Sequence, residues 1–177
     1  MKITLVLHNL RSVYNVGAIL RTAEGLGVER VIYAGYTPRF ADARLLPHLR
    51  VKLNRQISKA ALGAEQLVRQ TAVEDLPAWL SEERARGVRV LGLENNLAPT
   101  EQTRVRQLGS AELAVELRGA EQVILVLGEE VAGIPTEVRA ECELFIEIPM
   151  QGRKESFNVS VATGIALWGL EQLAAQR

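Results

Sequence analysis

Five short runs in this chain are almost continuously apolar: residues 3–7, 31–34, 88–93, 123–127 and 144–148. A strand that is apolar at every position, not only at alternate ones, is buried on both faces. That is the mark of a parallel sheet covered by helices. The stretches between these runs are longer and helical in composition. One covers residues 16–26, with Asn15 suited to cap it and Gly25 and Gly27 suited to end it. Another covers 58–70, and a third begins near Pro77, a residue that fits a first helical turn. Ile134-Pro135-Thr136-Glu137 starts a fourth, and residues 158–175 form a long last helix. In that last helix Val161, Ile165, Trp168 and Leu173 fall broadly on one side. Residues 98–118 are polar and charged, and read as either helix or a long loop. The alternation predicts an α/β fold, a mostly parallel sheet with helices on both faces. Ligands of such sheets bind beyond the carboxyl ends of the strands, near a switch in strand order.

The 177 residues suit one domain, and no shift in composition marks a second. Apolar residues make up 47% of the chain, which excludes a disordered polymer. No apolar run approaches the roughly 20 residues of a membrane span, and the N-terminal run is too short for a signal peptide. With one cysteine, Cys142, there is no intramolecular disulfide, and a reducing cytoplasm is the expected location. Twenty-one basic and 21 acidic residues cancel, so the whole chain lacks the basic signature of many nucleic-acid binders. The charge is uneven, however. Between residues 39 and 59 lie Arg39, Arg44, Arg50, Lys52, Arg55 and Lys59 against Asp42 alone, a formal +5. Such a patch reads either as a solvated face or as a phosphate contact.

Three clusters could carry chemistry. The first, from His8 to Ala23, joins strand one to helix one and contains Asn15, Gly17 and Arg21. Arg21 is either a surface arginine or one that reaches a phosphate or carboxylate in the cleft. The second is the buried strand that enters Gly128-Glu129-Glu130-Val131-Ala132-Gly133. It lacks the glycine pattern of dinucleotide folds and the Lys-Ser/Thr of a P-loop. It reads as a strand-to-helix turn or as bare backbone that approaches a flat ligand. The third runs from Phe145 through Pro149 and Gly152 to Ser156, Phe157 and Asn158. Ser156 and Asn158 serve as helix caps, or line a pocket for an adenosine-like ligand. His8, His48 and Cys142 show no metal-ligand spacing, and neither histidine has a Ser or Cys partner for a triad, so no metal is expected.

Taken in order, the three clusters resemble motifs one, two and three of the SpoU/TrmH branch of the SPOUT methyltransferases. Asn15-x-Gly17-x-x-x-Arg21 resembles motif one and Gly128-x-Glu130-x-x-Gly133 motif two. Motif three is matched by Ile148-Pro149-Met150 through Ser156-x-Asn158-Val159-Ser160-Val161-Ala162. The resemblance covers about residues 5–170 and implies a C-terminal trefoil knot, a homodimer with the active site near its interface, and S-adenosylmethionine as cofactor. By position it assigns cofactor contacts to Gly128, Ile148 and Phe157, largely through backbone groups, with Ser156 and, more weakly, Leu93.

The implied reaction is attack of an RNA ribose 2′-hydroxyl on the sulfonium methyl. Asn15, Arg21, Glu130, Ser156 and Asn158 match the family's polar active-site positions. Arg21 has been assigned as general base in such enzymes, yet arginine stays charged. A role in holding the adjacent phosphate and the developing alkoxide suits it better, with Glu130 orienting it. The resemblance further implies a single SpoU-type methyltransferase domain over residues 1–177 without the added RNA-binding domain of many relatives. Compact members of that kind often act on tRNA, so tRNA is favoured over rRNA as substrate. The alternative is a knotted RNA-binding module that has lost catalysis.

Overall fold

The computed structural model describes residues 1–95 and 97–175. Seven strands form one sheet: β1 (Lys2–His8), β2 (Arg30–Ala34), β3 (Gln70–Val73), β4 (Arg89–Leu93), β5 (Val105–Gln107), β6 (Gln122–Leu127) and β7 (Leu144–Glu147). Their order is β3-β2-β1-β6-β4-β7-β5, and every neighbouring pair is parallel. Alternate residues of the central strands feed two separate cores. Leu5, Leu7, Leu91, Leu125, Leu127 and Ile146 face one side, whereas Val6, Ile32, Val90, Ile124, Val126 and Phe145 face the other.

The first core is covered by α1 (Val13–Gly25), α2 (Pro47–Ala61), α3 (Ala64–Leu67), α5 (Ala111–Glu116) and α7 (Val159–Ala175). The second is covered by α4 (Leu76–Ala85) and α6 (Thr136–Arg139). Helices therefore lie on both faces of the sheet, as the apolar runs predict. Among the described residues no helix is long and apolar enough to cross a membrane.

Several local expectations are corrected. Helix α1 starts three residues before 16, and its cap is Ser12, whose Oγ accepts from the Asn15 N–H at 3.2 Å. Asn15 is thereby released from capping and sits in the first turn. The helix expected over 58–70 is two helices: α2 begins at Pro47 and ends before Leu62, which adopts a left-handed backbone, and α3 follows. Residues 98–118 contain a 3-10 helix (Pro99–Arg104), β5 and α5.

In α7 the inward residues are Thr163, Ala166, Leu167 and Leu170. Val161 and Trp168, on the expected apolar face, are 49% and 57% exposed. Small side chains let α7 lie close to the sheet and α1, and the bulky ones are turned outward.

Candidate functional site

A cleft of about 310 Å³ opens beyond the carboxyl ends of β4, β6 and β7. Each strand delivers one wall because its apolar run stops there and polar backbone follows. Leu93 and Glu94 come from the end of β4, Leu127 and Gly128 from β6, and Ile148 from the residue after β7. The mouth of α7 closes the far side with Ser156, Phe157 and Asn158. Five sequence-predicted cofactor residues, Gly128, Ile148, Phe157, Ser156 and Leu93, thus line one cavity.

The loop after β6 is a tight hairpin in which Glu129 and Gly133 exchange backbone hydrogen bonds at 3.1 and 2.9 Å. A Cβ on Gly128 would collide with the Gly133 backbone, and Gly133 itself has φ +70°. Both positions therefore require glycine.

Glu130, in this loop, reaches the start of α1. Its carboxylate accepts from Arg11 N at 3.2 Å, Ser12 N at 3.3 Å and Asn15 Nδ2 at 3.1 Å. Asn15 Oδ1 in turn accepts from Asn158 Nδ2 at 3.2 Å. Asn158 also caps α7, accepting from Ser160 N at 2.9 Å. The capping and active-site readings of Asn158 are both satisfied by one side chain. Burial pushes the Glu130 carboxyl up, but its hydrogen bonds outweigh burial and hold it below the ordinary glutamate range.

Arg21 stands apart. It is exposed on α1, does not line the cleft, and has no ion pair among the described residues. The expected pairing of Glu130 with Arg21 is replaced by the pairing of Glu130 with Arg11, Ser12 and Asn15.

Three further residues belong to the site and carry no motif. The Arg11 guanidinium forms an ion pair with Glu129, anchoring the β6 loop from outside. Glu94 Oε2 accepts from Ile134 N at 2.8 Å, and burial raises its carboxyl above the ordinary range. Asn95 pairs with the backbone of Ile148 through both ends of its amide. Glu94 and Asn95 had one legible signal: they are the first polar residues beyond an apolar strand, where α/β sheets place their crevice.

The cleft wall carries Glu94, Glu129, Glu130 and Glu155 and, among the described residues, no lysine or arginine. Among the described residues no cluster of His, Cys, Asp or Glu could hold a metal ion. His8 is buried at the end of β1, and burial lowers its pKa, so it is a neutral core residue at physiological pH.

The basic stretch is split. Asp42 is buried and takes ion pairs from Arg39 at 3.3 Å and Arg44 at 2.8 Å. The Arg44 hydrogen bond holds its carboxyl far below the ordinary range. Arg50, Lys52, Arg55 and Lys59 all lie on α2 and have no ion pair among the described residues. Lys52, Arg55 and Lys59, spaced three and four apart, form one exposed stripe.

Known proteins share this architecture. The chain is 32% identical over 177 residues to the 23S rRNA (guanosine-2′-O-)-methyltransferase RlmB of Pseudomonas syringae pv. tomato, covering 98% of this chain and 60% of the relative. A similar fraction, 56% or 57%, is spanned in related proteins from Pseudomonas, Xanthomonas and Xylella. An AdoMet-bound rRNA methyltransferase from Sinorhizobium meliloti superposes with TM-score 0.75 at 24% identity, over 97% of this chain and 56% of that one. A structure bearing on 2-OH methylation of tRNA matches with TM-score 0.73 at 24% identity, over 99% of this chain and 98% of the other. The family model for SpoU rRNA Methylase matches residues 2–168, which takes in all three motifs, the whole sheet and most of α7. By that match over nearly its full length, the chain belongs to the SpoU rRNA Methylase family.

Proposed function

We propose that this protein transfers a methyl group from S-adenosylmethionine to a ribose 2′-hydroxyl of RNA. The observation that carries the reading is the convergence of three distant segments on one cleft, linked in the chain Glu130–Asn15–Asn158. The cleft suits the cofactor. Its glycine hairpin offers bare backbone, and its carboxylates favour a sulfonium cation over an anion.

S-adenosylmethionine supplies an already activated methyl group. The chain must then align the hydroxyl, exclude water and manage one proton. Asn15 and Asn158 present amide groups beside the cleft to orient the ribose, and Glu130 fixes Asn15. Arg21, a permanent cation, is suited to hold the adjacent phosphate and steady the 2′-oxyanion. It shares the outer side of α1 with Tyr14, which is 52% exposed. Val161 and Trp168, on the neighbouring helix α7, are exposed apolar side chains too, and the proposal takes them with Tyr14 as one face. A second copy seated there would bury the face and put Arg21 at the interface, where the family resemblance locates the active site. A homodimer is therefore part of the proposal. So is the trefoil crossing of the C-terminal segment, supported by the ties of residues 148–158 to Asn95 and Asn15.

We further propose that residues 1–177 act as one catalytic domain of SpoU type in the cytoplasm, where its RNA resides. The RlmB relatives act on 23S rRNA, so the sequence preference for tRNA is not supported. Ribosomal RNA becomes the first substrate to test.

The decisive experiment incubates the protein with methyl-labelled S-adenosylmethionine and RNA from a strain lacking the gene, then maps the labelled nucleotide. Label on a ribose 2′-oxygen is the expected result. No label in any RNA fraction would overturn the reading and leave a non-catalytic RNA-binding module.

A further inference from the structure

Ile148 is the first residue past β7, so no neighbouring strand takes its backbone groups. Asn95 takes them instead. Its Nδ2 donates to Ile148 O at 2.9 Å, and its Oδ1 accepts from Ile148 N at 3.1 Å. The same Nδ2 donates to Glu155 O at 3.3 Å. Asn95 and Ile148 both line the cleft. A side chain therefore already occupies the backbone groups of Ile148, a residue that the family resemblance assigns to cofactor contact.

The chemistry of the pair says which part of the cofactor competes. A carboxamide sets one N–H donor beside one acceptor in a plane. The adenine edge does the same, with its exocyclic N–H beside a ring nitrogen, which is why Asn and adenine pair bidentately. The amino-acid end of S-adenosylmethionine offers instead a separate ammonium and carboxylate, and its ribose hydroxyls are not planar. One Ile148 N–H cannot serve Asn95 and a ligand together.

We infer that Asn95 is a displaceable stand-in for adenine, holding the cofactor's adenine subsite until the cofactor evicts it. The inference rests on the cofactor reading above. Eviction also breaks the bond to Glu155 O, so cofactor entry changes the hold on the segment that carries Ser156, Phe157 and Asn158. The stand-in keeps a buried backbone pair satisfied in the free protein, and cofactor affinity is lowered by the competition.

Calorimetric titration of wild type and Asn95→Ala with S-adenosylmethionine, and separately with adenosine, tests this. Loss of the competitor should tighten both ligands about tenfold. Equal or weaker binding by Asn95→Ala would overturn the inference while leaving the cofactor reading intact. A second measurement needs no variant: the Asn95 side-chain amide signals of ¹⁵N-labelled wild type. Saturating S-adenosylmethionine should move them to the position of a water-exposed carboxamide, and unmoved signals overturn the inference. Absence of binding by both proteins at millimolar ligand would instead bring down the cofactor reading, and this inference with it.

Discussion

In the cleft, the acidic side chains are held by other parts of the chain: Glu130 by Arg11, Ser12 and Asn15, and Glu94 by Ile134. On α2 the pattern is reversed. Arg50, Lys52, Arg55 and Lys59 form no ion pair among the described residues, while Arg39 and Arg44 both pair with Asp42. A site that must place reacting atoms to within a fraction of an ångström needs side chains fixed before the ligand arrives. A surface that reads phosphates needs free, mobile cations. The contrast supports the proposed function with a division of labour, methyl transfer in the cleft and RNA capture on α2.

The strongest way to break that assignment is Glu130→Ala. It removes the acceptor of three hydrogen bonds and frees Asn15 from the β6 loop. Single-turnover methyl transfer should fall about 100-fold, the cost typical of misplacing a catalytic group by about 1 Å. RNA affinity should stay within about twofold, since the stripe on α2 is untouched. A loss of RNA affinity as large as the loss of turnover would merge the two regions into one.

Next in size is Gly17→Ala. A Cβ at Gly17 would lie 2.6 Å from Ile57 O and 2.8 Å from the Ala60 Cβ, so α1 and α2 would have to part. Overpacking of this kind costs about 1–3 kcal/mol, or roughly 2–12 °C in melting temperature for a chain of this size. Thermal unfolding followed by circular dichroism reads it. Affinity for S-adenosylmethionine should be unchanged, because Gly17 faces α2 and no residue of α2 lines the cleft. A weakened cofactor would show that α2 supports the cleft after all.

Combined reversal of Lys52, Arg55 and Lys59 to Glu acts on capture alone. Binding of RNA at moderate salt should weaken by about tenfold or more, and the slope of log affinity against log salt should shrink by about 0.7–0.9 per lost contact. Fluorescence anisotropy at several salt concentrations gives both numbers. Unchanged binding would leave α2 a solvated helix.

These regions were unequally legible in the sequence. The five strands buried on both faces showed as apolar runs, whereas β3 and β5 are short edge strands, exposed at several positions, and carry no such run. The first turns of α2 were invisible because Leu46, Leu49 and Val51 are exposed apolar residues mixed with cations, which blurs the helical period. Helix α7 misled because its buried face is built from Thr163, Ala166, Leu167 and Leu170 and its exposed face carries Trp168. In the site, motif spacing located Asn15, Gly128, Glu130 and Asn158. Their partners stayed hidden, because the bond from Arg11 N to Glu130 spans 119 residues and nothing local encodes it. The charge count for residues 39–59 could not show that Asp42 ties down two of the six cations, Arg39 and Arg44, in one buried pairing.

The smallest effect separates two carboxylates within the cleft itself. Glu94 is raised above the ordinary value of 4.5 by burial, and Glu130 is lowered below it by its hydrogen bonds against burial. A raised carboxyl stabilises the fold below its ordinary pKa, and that contribution is lost as pH rises through the raised value. A depressed one contributes above its ordinary pKa, and the contribution is lost as pH falls through the depressed value. As pH drops from 7, Glu94 therefore takes its proton first, while Glu130 still holds Arg11, Ser12 and Asn15. The cleft loses one negative charge before it loses its shape. Affinity for the cationic cofactor should fall about two- to fivefold across that first step, the scale of one solvent-screened charge. Glu94→Gln should remove the step and leave the steeper acid loss that follows when Glu130 protonates. A titration curve in which Glu94→Gln matches wild type would mean that Glu94 only fastens Ile134, and that the cleft's charge resides in Glu129, Glu130 and Glu155.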